Sequence, residues 1–268
     1  AESNPTGTRS SMIYMAYNQR SLFVTGVWTT VQLALAGTAI AFVLALLMVF
    51  LRIQEHDKRN CDFVKLIKFV ANKFARFYIF VIRGTPMMVQ SLIFYYAIFN
   101  LFKRTGMSVT EINRVWSLFI SGLVTVSLNS TAYLAEVLRG GILAVDAGQM
   151  EAARSLGMTH WQAMRRVVFP QAIKNSLPAI GNEFIINIKD SSVLCVLGVS
   201  DLMFMTRSVA GIYYKGTECY LIAATVYLFL TYLSSLLLKA ITGRMPAPDN
   251  TKRRQGNQAV DLGLPSSN

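Results

Sequence analysis

Charge is scarce in this sequence. Asp, Glu, Lys and Arg make up 15% of its 268 residues, while 53% are hydrophobic. A typical soluble domain carries about 25% charge. A soluble core of this size cannot hide so many apolar side chains behind so few charges, which excludes an ordinary soluble enzyme. The residues for metal and disulfide chemistry are also sparse. The two histidines, His56 and His160, lie far apart and build no helical metal motif. The three cysteines, Cys61, Cys195 and Cys219, form no C-x-x-C pair, and their odd number gives no disulfide framework. No stretch has the GxxxxGK[ST] form, so this sequence carries no nucleotide-cradling P-loop. Both histidines lie outside the long apolar runs, and no paired nucleophile and base or metal cluster exists within them to support a membrane-embedded enzyme. Residues 1–20 lack the basic start, short apolar core and small-residue cleavage site of a secretory signal. No internal repeat is visible.

What the sequence does have is long apolar runs. Ser21 to Leu51 is 31 residues without a charge, Gly84 to Phe102 is 19, Val115 to Ala135 is 21 and Cys219 to Leu238 is 20. About 20 apolar residues cross a bilayer. A fifth run, Leu177 to Val199, is apolar but carries Glu183, Lys189 and Asp190. The sequence therefore predicts an all-α membrane protein of about five transmembrane helices. Between the first two runs, Lys65, Lys68, Lys73 and Arg76 interleave with Phe63, Leu66, Phe69, Phe74 and Phe77, the pattern of an interfacial amphipathic approach to the next span.

The net charge of +12 raises nucleic acid or an anionic membrane as partners. Position decides between them. Segments 52–83, 139–174 and 239–254 hold 18 of the 26 Lys and Arg residues. Basic loops stay cytoplasmic, so the N-terminus is expected outside and the C-terminus inside, and no nucleic-acid partner is needed. The domain reading is a polar N-terminal segment over 1–20, a transmembrane domain over 21–245 with a cytoplasmic loop at 139–175, and a polar tail over 246–268.

That loop is the most informative stretch. Asp146 with Gln149 resembles a capping box, and a short helix is expected to stop at Gly157. Thr159 with Gln162 forms a second box, opening a helix to about Phe169, where Pro170 is expected to reset the chain. Two short helices with a glycine hinge make a compact knob, with Ala147, Ala152 and Ala153 as a small-residue surface for a partner. A solvated loop lying on the membrane is the plain alternative.

The residues then bear a family resemblance. Glu151-Ala152-Ala153, three residues, Gly157, nine residues, Val167, one residue, Phe169 and Pro170 resembles the E-A-A…G…I-x-L-P loop of bacterial ABC importer permeases, with Val for Ile and Phe for Leu. Arg83-Gly84-Thr85-Pro86 with Val89-Gln90, Leu128-Asn129-Ser130 with Ala132-Tyr133 and Glu136, and Lys189-Asp190-Ser191-Ser192 resemble stretches of the polar amino acid branch. The likeness covers about residues 20–245. It implies the type I importer permease fold and a non-catalytic subunit of the bacterial inner membrane. Two permease chains, alike or related, line the path for a polar amino acid. Each offers a knob to a cytoplasmic ABC ATPase dimer, and an extracytoplasmic amino-acid-binding protein delivers the solute. Glu151, Ala152, Ala153, Gly157 and Pro170 are the coupling residues so implied. No cofactor is bound by this chain; ATP and Mg belong to the partner ATPase.

Ionisable groups inside a span are costly and mark function by default. On a helix, Lys189 and Asp190 diverge by about 100°, which disfavours a simple mutual pair. A helix break near Ser191-Ser192 is one structural alternative. Glu183 suits an ammonium group, with Asn182, Asp190, Ser191, Asn129, Ser130 and Tyr133 as further path candidates. The competing reading is that these groups satisfy one another or neighbouring helices. Glu136 either lines the path or pairs with Arg139 at i+3. Arg83 reads as an inner-boundary anchor, and Tyr95 and Tyr96 as an outer aromatic belt. An ATP-independent secondary transporter or channel would instead use Glu183 and Asp190 as coupling sites, and its uptake would follow an ion gradient.

Overall fold

The structure, a computed structural model, describes residues 7–52 and 62–243. His56, Lys58, Arg59, Cys61 and the tail from residue 244 lie outside the described residues. Within them the chain is helical, with no strand. In order come α1 (Thr8–Asn18), α2 (Arg20–Arg52), α3 (Asp62–Gly84), α4 (Met87–Arg104), α5 (Val109–Val115), α6 (Leu118–Leu143), α7 (Ala147–Ser155) and α8 (His160–Ala163). A π-helical turn (Met164–Val168) leads into α9 (Phe169–Asp190) and a 3₁₀ turn (Ser191–Val196), followed by α10 (Leu202–Tyr213) and α11 (Gly216–Thr242).

By length and apolarity, α2, α6 and α11 each suffice to cross a membrane, and α3 with α4 does so as a pair bent by 114°. The charged α9 falls outside that criterion. At 33 residues, α2 is about 50 Å long. It exceeds the roughly 30 Å hydrocarbon layer and must tilt or project. The third apolar run starts its helix later than its first apolar residue, because Trp116 ends α5 and Ser117 caps α6, its Oγ accepting from the Ile120 N–H at 3.2 Å. Outside the spans, α5 opens with a capping box in which the Ser108 hydroxyl and backbone N–H both donate to Glu111, holding its carboxyl below the usual carboxylate range.

The α6 helix is the hub. Small residues let α2 lie close against it: Ala41 and Ala45 meet Ala132 and Ala135 in a core completed by Val49, Ile79, Ile82, Leu134 and Leu138. Without a hydrophobic force between helices in lipid, such close packing carries the association. The Tyr78 hydroxyl adds a tie from α3, donating to the Leu128 carbonyl at 2.6 Å. The outward phenylalanines of α3, among them Phe63, Phe69, Phe74, Phe77 and Phe80, are exposed in the single chain. At the other end, α1 is clamped to α10 and α11. Asn18 and Gln19 both donate to the Tyr213 hydroxyl, at 2.7 and 3.2 Å, and Met15 is buried against Cys219.

The α6–α9 contact hinges on Gly141. A Cβ there would sit 2.0 Å from Ser176 Oγ and 2.7 Å from the Ala172 carbonyl oxygen. The second atom is backbone and cannot swing away. Gly141→Ala is therefore expected to destabilise the fold by about 1–3 kcal/mol through overpacking, read as a lower Tm of the purified chain. An unchanged Tm would mean that α9 does not sit against this face of α6.

Candidate coupling knob and polar seams

The knob between α6 and α9 is built by local chemistry. Asp146 caps α7, its Oδ1 accepting from the Gly148 N–H at 2.7 Å. The expected reciprocal box with Gln149 is not what forms. Gln149 Oε1 instead accepts from Gln171 Nε2 at 3.3 Å, tying α7 to α9. The α7 helix closes as expected at Gly157, whose φ is +81°. The Gly157 N–H reaches the Arg154 carbonyl at 3.0 Å and the Met158 N–H reaches Ala153 at 3.2 Å, the two bonds of a Schellman end. The Thr159–Gln162 box forms with both of its bonds.

Two expectations need correction. Pro170 does not reset the chain: α8, the π turn and α9 run on without interruption, and Pro170 occupies the first turn of α9. Its ring would clash in a regular helix and it lacks an N–H, and the wider π turn just before it relieves both demands. Ala153 is not on the outer surface of the knob; it is 4% exposed and packs inside. Glu151, Ala152, Ala147 and Leu156 face outward. The knob rests on the C-terminal end of α2, where Trp161 meets Phe50 edge-to-face at 5.4 Å.

Beside it lies an ion cluster. Glu136 takes Arg139 Nε at 3.1 Å and pairs with Arg52 from α2. The pairing with Arg139 was legible as i+3 spacing; the Arg52 partner, 84 residues away, was not.

The polar candidates within the spans divide into two seams on α6 and one exposed face of α9. In the first seam, Ser130 donates to Asn187 Oδ1 at 2.9 Å, and Asn187 Nδ2 donates to Thr38 Oγ1 of α2 at 2.9 Å. The buried Glu183 carboxyl, one turn before Asn187, lies within reach of the Ser130 hydroxyl. In the second, Asn129 Nδ2 donates to Gln90 Oε1 at 3.0 Å, and the Arg83 guanidinium lies 5.3 Å over the Tyr133 ring. Asn182, Lys189 and Asp190 are exposed on α9, and among the described residues Lys189 and Asp190 form no ion pair. The helix breaks where Ser191 begins the 3₁₀ turn, with Ser191 Oγ donating to the Ile188 carbonyl at 3.1 Å. Sequence reasoning missed Thr38, which sits in a charge-free run, and gave Asn187 no role, although its i+4 spacing from Glu183 placed both on one face. At the opposite end of α6 from the knob, Thr29, Tyr95, Asn113, Ser117 and Ser200 line a cavity of about 500 Å³. None of the path candidates borders it. Tyr95 meets Tyr96 edge-to-face there, with centroids 5.2 Å apart.

Comparison with known proteins agrees with this architecture. Residues 65–246 match the family described as binding-protein-dependent transport system inner membrane component. The glutamine transport system permease protein of Escherichia coli is 31% identical over 224 residues, covering 84% of this chain and 93% of that one. The nopaline transport system permease protein of Agrobacterium fabrum is 31% identical over 214 residues, covering 78% and 82%. The solved structure of an amino acid ABC transporter with histidines aligns at a TM-score of 0.72 and 37% identity, over 90% of this chain and all of that chain. With a helical fold, a knob carrying the spaced EAA residues and no P-loop of its own, the chain belongs to the binding-protein-dependent transport system inner membrane components, as a permease subunit of an ABC importer whose ATP is hydrolysed by separate subunits.

Proposed function

We propose that this chain, paired with a second permease chain, forms the path for a polar amino acid across the bacterial inner membrane. An extracytoplasmic binding protein delivers the solute, and a cytoplasmic ATPase dimer, which holds ATP and Mg, drives the cycle through residues 139–175. The observation that carries this reading is the knob. Its two capped helices meet at a left-handed glycine, present Glu151 and Ala152 outward, and continue through Pro170 into α9. The buried Ala153 and the left-handed turn at Gly157 set its shape. Relatives named for glutamine and nopaline transport support a polar amino acid as substrate.

On this reading five spans cross the membrane: α2, the bent α3–α4 pair, α6, α9 and α11. The N-terminus is outside and the C-terminus cytoplasmic, which puts the knob and the basic loops on the ATPase side. Glu183 meets the ammonium group of the solute. Asn129, Ser130 and Tyr133 line the path from α6. Asn182 and Asp190 face it from the exposed side of α9, and Ser191 marks the helix break. The test is purification of the chain from its native membrane, with ATPase activity assayed with and without candidate amino acids and their binding protein. A stoichiometric ATPase stimulated by loaded binding protein is the expected result. A chain that purifies alone and moves solute in liposomes down an ion gradient overturns it.

A further inference from the structure

The Arg83-Gly84-Thr85-Pro86-x-x-Val89-Gln90 stretch has no part in the coupling knob, and its geometry poses a problem that one side chain solves. The α3 helix ends at Gly84 and α4 starts at Met87 after a turn of 114°. The last four carbonyls of a helix lack intrahelical donors. Here Pro86 follows and supplies no N–H. An unsatisfied carbonyl within a spanning pair is expensive.

Gln90, on the first turn of α4 and 4% exposed, folds back over that end. Its Nε2 lies 2.8 Å from the Ile82 carbonyl, 2.9 Å from the Thr85 carbonyl and 2.8 Å from Thr85 Oγ1. The Thr85 hydroxyl spends its own proton on the Val81 carbonyl at 2.9 Å, so it acts as an acceptor toward Gln90. Three oxygen acceptors fix which way the amide points, because a flipped amide would set oxygen against oxygen. The Gln90 oxygen is thereby turned to α6, where it accepts from Asn129 at 3.0 Å. One turn further along the same face of α6, Tyr133 carries the Arg83 guanidinium from the end of α3.

We infer that Gln90 is a positioning residue that fastens the α3–α4 bend to α6. Its amide nitrogen closes the open end of α3 and its amide oxygen holds Asn129, so the bend and α6 move together during transport. This needs only the importer role of the chain, not the assignment of Asn129 to the solute path.

Two measurements on the full complex, reconstituted with its ATPase and binding protein, test it. The first is uptake per assembled complex for Gln90→Leu, Asn129→Leu and the double variant. Each single loss of a buried hydrogen bond is expected to slow uptake about tenfold, and the double variant no more than the worse single, because both remove one link. Losses that multiply to about a hundredfold overturn the inference. The second measurement distinguishes a link from a solute contact and needs no Gln90 variant to assemble. A Cβ at Gly84 meets no atom within 4 Å, so Gly84→Cys fits at the bend. In a chain whose native cysteines are alanine, Asn129→Leu is expected to speed maleimide labelling of that thiol severalfold. An unchanged labelling rate means that Asn129 does not hold the bend and overturns the inference, whatever its effect on uptake.

Discussion

Gly157→Pro is expected to abolish uptake by the assembled importer, a loss of about a hundredfold or more, of the size that small misplacements of a coupled element produce. Two independent faults combine. Gly157 has a φ of +81°, whereas proline is locked near −65°. Its N–H also makes one of the two bonds that close α7, and proline has none. The chain cannot turn from α7 into the Thr159 cap, so Glu151 and Ala152 lose their placement relative to α8. Gly157→Ala keeps the N–H and suffers only the left-handed strain, about 1–2 kcal/mol, so a milder, severalfold loss is expected. The measurement is uptake in proteoliposomes beside basal ATPase activity and recovery of the chain from the membrane. Normal uptake by the proline variant would remove the knob from the coupling path. Loss of the chain itself would shift the comparison to the alanine variant, whose graded loss carries the same argument.

The consequence of the knob for transport follows from how it is joined. A chain reset at Pro170 would have left a flexible link between knob and span. The π turn instead makes α8 and α9 one continuous helical path. On the proposed reading, a push on Glu151 or Leu156 reaches α9 as a rigid-body displacement, and α9 carries Glu183 and Asn187 at the seam with Ser130 and Thr38. The Gln149–Gln171 bond and the Trp161–Phe50 contact add struts from α7 to α9 and from the knob to α2. On the same reading, two closed helix ends and a π turn connect the surface offered to the ATPase with the polar groups of α9.

The sequence made the local features legible because their causes are local. Thr159 three residues before Gln162, glycine after a short helical run, and an uncharged stretch of membrane length each act through neighbours in the chain. The misread positions are those where tertiary demand overrides a local rule. Pro170 is a helix breaker by propensity, yet a π turn accommodates it. Ala153 looks like part of a small-residue surface, yet its face of α7 turns inward. Asp146 and Gln149 have box spacing, but a partner on α9 takes the Gln149 side chain. Thr38, Gln90 and Arg52 gain their meaning from partners 149, 39 and 84 residues away. No periodicity in a single sequence encodes such separations.

Glu183→Leu is expected to raise thermal stability while stopping transport, and that opposition of sign separates a binding carboxylate from a structural one. Glu183 is 8% exposed in the middle of α9. Among the described residues no Lys or Arg forms an ion pair with Glu183. It has the Ser130 hydroxyl within reach, and Asp190 lies near enough to repel it. Ser130 already donates to Asn187, so removing the carboxyl orphans no donor. Holding an unpaired carboxylate there costs the fold several kcal/mol. Leucine removes that cost, for a gain of ~1 kcal/mol or more in the purified complex, seen as a higher Tm. On the proposed role of Glu183, transport responds in the other direction, since the ammonium group of the solute would lose its counter-charge. Glu183→Gln isolates the charge from the shape: it keeps the volume and leaves the Ser130–Asn187 bond in place, and uptake is expected to fall at least about tenfold, the loss of one charge-assisted hydrogen bond. If Tm and uptake fall together in both variants, Glu183 is a fastening of α9 to α6, and the solute meets its counter-charge elsewhere, with the exposed Asp190 as the next group to replace.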